Sequence, residues 1–266
     1  MRSTPTVSIS FCTTCRNRLW QLRETLPQNL ECIAPPHQIV LVDYGSNDGL
    51  SEWVWRHLQS HIENKKLVFF EVTNEVRWNV ARAKNLAHRL GTGNYLFNLD
   101  ADNFITDEDV ELIEKVGKMG LYSHQWSETW EDGSFGRIGI PKAIFQKIGG
   151  YDETLLPMGG QDVDIIQRLA ALKYRRAKLA APQRTAVQNQ QSDKIKELIH
   201  PESKLNDPGK VYKKSNIISL EISKFKLEME GSVRLGGGFS YKGLLNGKPV
   251  VINGFDEISF VSEEAR

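Results

Sequence analysis

The sequence predicts an α/β protein built on a mostly parallel sheet with helices on both faces. Three observations support this prediction. Short β-branched segments recur along the first half of the chain, helical patterns lie between them, and turn-forming polar residues follow several of them. Such alternation is typical of a parallel, doubly wound sheet. With 266 residues, the chain can form one large domain, or one domain and a small appendage.

The predicted strands and helices alternate in chain order. Strands are expected over residues 6–11, 38–42, 66–72 and 95–99, and helices over 19–30, 50–61 and 80–90. The segments CTTCRNR and DYGSNDG follow the first two strands and are rich in turn and capping residues. Because ligands of parallel α/β sheets bind beyond the carboxyl ends of the strands, we expect these loops to be functional.

The second half of the chain departs from this alternation. A helix over 107–119 opens with acidic residues, which suits the positive end of a helix, and another is expected over 163–172. Between them, residues 122–135 suit either a surface that contacts substrate or a strand pair that packs its aromatics inward. Residues 181–214 are polar and contain three prolines, which predicts a loop. Alternating apolar and polar residues after that predict a β-rich extension, so the expected domains are 1–215 and 216–266.

Composition excludes several classes of protein. Lys and Arg total 34 against 33 for Asp and Glu, so no global field favours nucleic acid or an anionic membrane as partner. No segment has the length of a membrane span and the first residues lack the apolar core of a signal peptide, so a cytoplasmic protein is expected. Cys12, Cys15 and Cys32 are too few for a disulfide framework and are expected to be reduced. Cys12 and Cys15 form a CxxC, but no second pair completes a zinc site.

The strongest local signal is the run NLDADN at the end of a predicted strand. Asp100 and Asp102 are one residue apart, and strand geometry sends such neighbours to the same face, so both could converge on one hard cation. A divalent cation that bridges a carboxylate and a diphosphate would stabilise the charge on a departing nucleotide. The alternative is that these residues cap the following turn.

A second signal is GGYDE, followed after a short gap by GGQDVD. The glycines permit a sharp turn, which places Asp162 at the beginning of an amphipathic helix. Asp is a common N-terminal cap, and that is one interpretation. The other is a carboxylate positioned as a general base for an acceptor hydroxyl.

Six segments in this order resemble glycosyltransferase family 2 and its relatives with the GT-A fold: VSISFCTTCRNR, IVLVDYGSND, ARAKNLA, GNYLFNLDADN, GGYDE and GGQDVDIIQRL. The last two also resemble the C-terminal motif of galactosyltransferases and of polypeptide N-acetylgalactosaminyltransferases. The resemblance covers about residues 6–175. It implies a GT-A fold with a Rossmann-like sheet, a divalent cation (Mn²⁺ or Mg²⁺) and a nucleotide-sugar donor. UDP is the expected nucleotide because most similar enzymes use it.

The resemblance implies roles for the residues that match the family motifs. Those expected to contact the donor are Thr13, Thr14, Arg16, Asp43, Arg82, Asn85, Asp100 and Gln161. Asp102 would ligate the metal, with His200 as a further ligand and His124 as its alternative. Asp162 would be the catalytic base. Gln161 replaces the usual Glu, so sugar preference would differ, and Lys84 is expected on a solvated helix face.

The implied reaction is direct displacement at the anomeric carbon with inversion. Asp162 would remove a proton from the acceptor, and Asp102 would hold a cation that, with the charge of Arg82, would offset the charge on the leaving diphosphate. Trp126 and Trp130 are candidates to stack on an acceptor sugar, since aromatic faces suit the apolar side of a pyranose. Packing within the protein is the alternative for both tryptophans.

Three other interpretations are kept open. A retaining transferase would share the donor site without using Asp162 as base. A binding protein could have kept the nucleotide-sugar site without turnover, which Gln161 and the unassigned third metal ligand would suit. A nucleotidyltransferase ranks last because its Gly-rich, Lys-bearing first loop is missing. The acceptor is expected to be a carbohydrate or another hydroxyl compound, and a homo-oligomer is left open.

Overall fold

The computed structural model describes residues 6–74, 77–130, 132–188, 198, 207–230, 240–253 and 257–260. Its strands are β1 (Ile9–Cys15), β2 (Gln38–Asp43), β3 (Leu67–Val72), β4 (Tyr95–Asn98), β5 (Tyr122–His124), β6 (Ile138–Pro141), β7 (Arg176–Lys178), β8 (Ser240–Leu245), β9 (Lys248–Asn253) and β10 (Glu257–Phe260). Its helices are α1 (Leu19–Glu31), α2 (Leu50–His57), α3 (Gln59–Glu63), α4 (Val80–Leu90), α5 (Asp107–Lys118), α6 (Lys142–Lys147), α7 (Gln161–Ala171) and α8 (Pro208–Glu230), and a 3₁₀ turn spans Ser134–Gly136.

The strands within these ranges form one sheet in the order β10-β9-β8-β3-β2-β1-β4-β6-β5-β7. The four central strands, β3, β2, β1 and β4, are parallel, whereas β6 and β8 pair antiparallel at their two sides. The chain leaves β1 toward β2 on one side and later returns to β4 on the other. The carboxyl ends of β1 and β4 therefore frame the crevice where such sheets bind ligands.

Two hydrophobic clusters cover the two faces of the sheet. The first contains the leucines of α1 together with apolar residues of α2 and α5, and the second contains residues of α4, α6 and α7. Every residue of β2 is buried, as expected for a strand covered by helices on both sides. The α/β class and the helix-flanked, mostly parallel sheet are confirmed.

Most of the predicted elements are present, with shifted ends. α4 has the bounds that the periodicity predicts, while the helix predicted over 50–61 is divided at Leu58 into α2 and α3. β1 extends to Cys15, so Thr13, Thr14 and the CxxC lie in the strand, and the prediction of a loop there was wrong. Two threonines in succession favour extended backbone because their β-branched side chains fit a pleated sheet.

The prediction for the C-terminal part was wrong over α8. This helix of 23 residues replaces the end of the predicted loop and the β-type segment SLEISKFKLEME. The buried side of α8 includes Ser219 and Ser223, so a search for apolar periodicity does not detect it. The β-rich prediction is confirmed for β8 to β10, which extend the main sheet through the pairing of β8 with β3. The domain division at residue 215 stays a prediction.

None of the helices in the described ranges combines the length and the hydropathy needed to cross a bilayer.

Candidate active site

A cleft of about 250 Å³ opens at the carboxyl ends of β1 and β4. Its walls come from parts of the chain that lie far apart in sequence, and these include the end of β1, the start of α4, the loop after β4, the 3₁₀ turn at Ser134–Gly136, the start of α7 and the N-terminal part of α8. The lining includes the ionisable or hydrogen-bonding side chains of Arg16, Lys84, Asp100, Asp102, Asp162 and Tyr212. The cleft is therefore suited to a charged, polar ligand.

Neighbouring amide side chains orient the two carboxylates that follow β4. Asn98 Nδ2 donates to Asp100 Oδ1 at 3.0 Å and to the Gly136 carbonyl at 2.8 Å. Asn103 Nδ2 donates to Asp102 Oδ1 at 2.8 Å. Gly136 has no room for a side chain, because a Cβ there would lie 2.5 Å from Asp100 Oδ2. Asp100 and Asp102 both line the cleft, as the sequence predicts.

Two buried polar residues of α1 hold the loop that carries these carboxylates. Thr25 Oγ1 donates to the Ala101 carbonyl at 2.6 Å. Asn29 Nδ2 donates to the Asn103 carbonyl at 2.9 Å, and Asn29 Oδ1 accepts from the Ile105 N–H at 2.9 Å. Neither residue was predicted from the sequence. Their spacing of four places them on one face of a helix, but nothing local shows that this face is buried against a polar loop.

Lys84 is the main correction to the predicted site. Its ammonium lies 2.7 Å from Asp162 Oδ1 and 3.5 Å from Asp100 Oδ1, and its side chain is only 3% exposed. Burial alone would lower the pKa of Lys84, but the charges of Asp100 and Asp162 outweigh it and raise that pKa above its ordinary value. The prediction of a solvated helix face was wrong: Lys84 is a buried cation between two cleft carboxylates.

The start of α7 is shaped by two glycines with left-handed backbone. Gly159 and Gly160 have φ of +100° and +86°, a region that side chains disfavour. Gln161 Nε2 donates to the Leu156 carbonyl at 2.8 Å, which ties the helix start to the preceding turn. Asp162 follows in the first turn, where the helix dipole favours a negative charge, and it lines the cleft with a quarter of its side chain exposed.

The predicted donor-binding residues on α4 do not line the cleft. Asn85 uses its whole amide inside the GGYDE loop: Nδ2 donates to the Tyr151 carbonyl at 2.9 Å and to Glu153 Oε1 at 2.8 Å, while Oδ1 accepts from the Tyr151 N–H at 2.8 Å. Burial raises the pKa of Glu153, and the charge of Arg82 is among the groups that oppose this. Arg82 and Asn85 thus interact with the loop before α7, and their donor contacts stay predictions.

Of the predicted donor-binding residues at the ends of β1 and β2, two line the cleft and two do not. Thr14 and Arg16 line the cleft, and Arg16 Nη1 donates to the Tyr44 carbonyl at 2.8 Å. Thr13 is buried in β1 and does not line the cleft. Asp43 is also buried, which raises the pKa of its carboxyl. Contacts of Thr13 and Asp43 with a donor stay predictions.

Neither histidine is shown to be a metal ligand. His200 lies outside the described residues. His124 is buried, and its Nε2 lies 2.9 Å from the Phe135 carbonyl, which only accepts hydrogen bonds; that nitrogen therefore carries a proton and cannot coordinate. Among the described residues no three Asp, Glu, His or Cys side chains converge on a common point. Asp100 and Asp102 fit a hard divalent cation because a cation of that kind can use one or two carboxylates together with substrate phosphates.

The two predicted acceptor tryptophans occupy different positions. Trp130 lines the cleft, is 68% exposed, and stacks on Phe135 with ring centroids 4.4 Å apart. Trp126 does not line the cleft: it packs edge-on against Phe135 at 5.0 Å and its indole N–H donates to the Thr129 carbonyl. Trp130 therefore presents a ring to the cleft, whereas Trp126 packs behind it against Phe135.

Part of the sequence matches one family model, and the fold matches several solved structures. Residues 10–118 match the family model described as Glycosyl transferase family 2, and no curated protein matched the chain. The mannosyltransferase PcManGT from Pyrobaculum calidifontis, solved with GDP-Man and Mn²⁺, is 17% identical, with a TM-score of 0.55 over 84% of this chain and 74% of that one.

Two further solved structures show the same fold. TarS 1-349 from S. aureus, in complex with UDP-GlcNAc, is 12% identical, with a TM-score of 0.52 over 84% of this chain and 73% of that one. GalNAc-T7 with UDP, GalNAc and Mn²⁺ is 14% identical, with a TM-score of 0.55 over 86% of this chain and 55% of that one. The chain therefore has the GT-A fold of these glycosyltransferases, and residues 10–118 match the sequence model of family 2.

Proposed function

We propose that this chain is a metal-dependent glycosyltransferase that moves a sugar from a nucleotide-sugar donor to a hydroxyl acceptor with inversion. One observation carries the proposal: Lys84 joins Asp162 to Asp100 inside the cleft that also contains Asp102. The two contacts share one ammonium, so the carboxylate oxygens lie no more than about 6 Å apart. A diphosphate site and a candidate base are thus within the length of one substrate.

The donor side of the cleft contains Asp100, Asp102, Thr14 and Arg16. Asp102 would hold a divalent cation, and Asp100 would contact the ribose or the water shell of that cation. A bound cation supplies positive charge next to the leaving diphosphate. Arg16 adds a positive charge of the protein to the same wall, whereas Arg82 does not line the cleft. PcManGT and GalNAc-T7 were both solved with Mn²⁺, which supports Mn²⁺ as the first metal to test.

Asp162 is proposed as the general base for the acceptor hydroxyl. A general base must be held toward the proton that it accepts, and two features orient Asp162 and complement its negative charge: the ammonium of Lys84 and the N-terminal end of α7. Lys84 positions Asp162 and balances its charge without contacting the acceptor itself. Because one base and one leaving group act from opposite sides in a direct displacement, inversion follows.

The acceptor is proposed to be a carbohydrate because of the aromatic ring at the mouth of the cleft. Trp130 is held against Phe135 yet leaves most of its surface open, which suits stacking on the apolar face of a sugar. For the donor, UDP remains our proposal from the sequence resemblance. The related structures contain GDP-Man, UDP-GlcNAc or UDP, so GDP-Man belongs in the same screen.

A screen of nucleotide sugars tests the proposal. Thermal-shift measurements with GDP-Man, UDP-GlcNAc and other UDP-sugars, each with and without Mn²⁺, should identify one donor that stabilises the protein only with metal. Asp102→Asn should abolish that stabilisation. Asp162→Asn should retain it while release of nucleoside diphosphate falls by about 100-fold or more. Asp107→Asn, an exposed acid of α5, is the matched control and should behave as wild type.

Three results would contradict parts of the proposal. Metal-dependent binding of a donor without hydrolysis or transfer would support a binding protein. Retention at the anomeric carbon, observed by proton NMR of the product, would exclude Asp162 as the base of a direct displacement. Equal activity of Asp162→Asn and wild type would do the same.

A further inference from the structure

Three serines of α8 face the domain at intervals of four residues. Ser215 Oγ donates to a backbone carbonyl of the turn before α7 at 2.5 Å, and Ser223 Oγ donates to Asp164 Oδ1 at 2.7 Å. Ser219 is fully buried beside Gly160, where a Cβ would lie 2.7 Å from the Ser219 side chain. Because these side chains are small, α8 approaches the start of α7 closely.

A buried ion pair holds the C-terminal half of the same helix. Lys226 Nζ donates to Asp152 Oδ2 at 2.7 Å, and the Asp152 side chain is fully buried in the GGYDE loop. Lys226 also donates to the hydroxyl of Thr154. A buried carboxylate is costly without its partner, so this pair and the serines together fix the rotation of α8 on the domain. The rotation decides which residues of α8 face the cleft.

Two residues in the N-terminal half of α8 line the cleft. They are Tyr212 and Asn216, which lie one helical turn apart. Asn216 packs against Gly159, where a Cβ would lie 2.4 Å from Asn216 Oδ1. Gly159 lies three positions before Asp162. α8 therefore meets the cleft at the end that carries the proposed base.

The side-chain amide of Asn216 has hydrogen-bonding capacity that the protein does not use. Its Nδ2 donates to the Tyr212 carbonyl of its own helix at 3.3 Å. A side-chain amide has two donor hydrogens and an acceptor oxygen. Within the residues that the structure describes, the second hydrogen and the oxygen of Asn216 have no hydrogen-bond partner. An amide of this kind on a cleft wall suits a sugar hydroxyl, which both donates and accepts.

The α8 end of the cleft offers no positive charge to an anionic acceptor. The cations in the described lining are Arg16, Arg18 and Lys84. Arg16 and Arg18 follow β1 on the donor side, and the ammonium of Lys84 lies between Asp100 and Asp162. The lysines in the first half of α8 do not line the cleft. A phosphate or carboxylate beside Asp162 would therefore lack a partner.

We propose that Tyr212 and Asn216 bind the acceptor and hold its hydroxyl toward Asp162, and that the acceptor sugar is uncharged. Tyr212 supplies an aromatic ring for the apolar face of the sugar, and Asn216 supplies hydrogen bonds to its hydroxyls. Binding of this kind fixes the orientation of the attacking oxygen relative to the base. The inference rests on the proposed function, because only a glycosyltransferase needs an acceptor site at this position.

Transfer to simple glycosides tests the role of α8. The donor found by thermal shift is supplied with Mn²⁺ and with methyl glycosides of glucose, galactose, mannose or N-acetylglucosamine, and release of nucleoside diphosphate without a glycoside measures donor hydrolysis. Asn216→Ala and Tyr212→Ala should each raise the KM for the accepted glycoside by about tenfold or more, the loss expected for one or two hydrogen bonds or a ring contact. The KM for the donor should change by less than about twofold.

A variant on the exposed side of the same helix is the matched control. Ile217 is 62% exposed and does not line the cleft, so Ile217→Ala should have the KM values of wild type. Circular dichroism should show that all three variants are folded. An equal rise of the glycoside KM in Ile217→Ala would assign the effect to the helix as a whole and overturn the two contacts.

Charge on the acceptor tests the second part of the inference. The counterpart of the accepted glycoside oxidised to the uronic acid should have a kcat/KM at least about tenfold lower, because its carboxylate meets Asp162 without a cation. Equal use of the two compounds would overturn the uncharged acceptor.

The remaining outcomes separate this inference from the proposed function. An unchanged glycoside KM in both alanine variants would overturn the contacts, and an equal rise in the donor KM would place α8 against the donor instead. A wild type that hydrolyses the donor but transfers to none of the glycosides would overturn the neutral sugar as acceptor. A wild type that neither binds nor hydrolyses any donor would overturn the proposed function itself.

Discussion

Replacing Lys84 by Met should lower the activity of the cleft more than replacing any other single cationic residue. The side chain keeps a similar length and stays apolar along its stem, so the loss is mainly the ammonium between Asp162 and Asp100. Because the pKa of Lys84 is raised in the folded protein, the residue is cationic at every pH at which the enzyme would be assayed. The stability it contributes is fully present below its ordinary pKa of 10.5 and is lost only as the pH rises above that value.

The size of the effect follows from the distances. Two carboxylates at most about 6 Å apart repel each other by at least about 1.5–3 kcal/mol at an effective dielectric constant of about 20–40. Removing one partner of a buried ion pair costs about 3–5 kcal/mol of folding stability. Asp162 and Asp100 are 25% and 37% exposed, so water screens part of this, and we expect a loss of about 2–3 kcal/mol.

The same repulsion should change the pH dependence of activity. Protonation of one carboxyl relieves it, so the acid limb of the rate profile should move up by about one to two pH units. The assay is release of nucleoside diphosphate with Mn²⁺ between pH 5 and 9, using the donor found by thermal shift. Lys142→Met is the matched control, since Lys142 is half-buried and its ammonium donates to the Gly91 carbonyl away from the cleft.

Two results would refute this reasoning about Lys84. One is an acid limb that coincides with that of wild type in a variant that is folded. The other is an equal shift of the acid limb in Lys142→Met, which would point to a general effect of lost charge.

Three further substitutions test other parts of the structure. Burial lowers the pKa of His88 to about 3, so between that value and pH 6.5 only the unfolded chain takes up a proton on this residue. The free energy of unfolding of wild type should therefore fall by about 2 kcal/mol between pH 8 and pH 5. His88→Phe should remove this fall in urea titrations at both pH values. Gln161→Glu replaces the amide that donates to the Leu156 carbonyl by a group that cannot donate when ionised. The free energy of unfolding should fall by about 1–3 kcal/mol in the same titrations. A variant as stable as wild type would show that this hydrogen bond is dispensable. Asn29→Ala leaves the Asn103 carbonyl and the Ile105 N–H without their partner, so folding stability should fall by about 2–3 kcal/mol. Because these groups belong to the loop after β4, stabilisation by donor and Mn²⁺ should weaken as well. Unchanged metal dependence would show that α1 does not support the metal site.

The elements of the first half were predictable because their signals are local. The leucines of α1 recur at helical spacing and β2 is a short apolar run, so each pattern predicts its element from neighbouring residues alone. The same holds for the position of Asp100 and Asp102 at the end of a central strand. A turn with two glycines before an amphipathic helix likewise predicts where Asp162 begins α7.

The partners of the site residues were not predictable in this way. Lys84 meets Asp162 across 78 positions of sequence, and nothing near either residue records that contact. Asn85 and Lys84 are adjacent on α4, yet Asn85 contacts the GGYDE loop and Lys84 lines the cleft, where a solvated helix face was predicted for Lys84. α8 is the extreme case, because its fully buried residues include Ser219 and Ser223 while Ile217, Ile218, Phe225 and Met229 are exposed.

The sequence by itself determined the α/β class, the order of the first strands and helices, and which loops carry acidic residues, since each depends on neighbours within one or two helical turns. Only the tertiary structure decided that Lys84 balances the charge of the cleft, that α1 holds the loop after β4 and that α8 forms one wall. These depend on which faces of distant elements meet. Burial of a polar group is tolerable only when its partner is in place, and the chain brings those partners together only once it has folded.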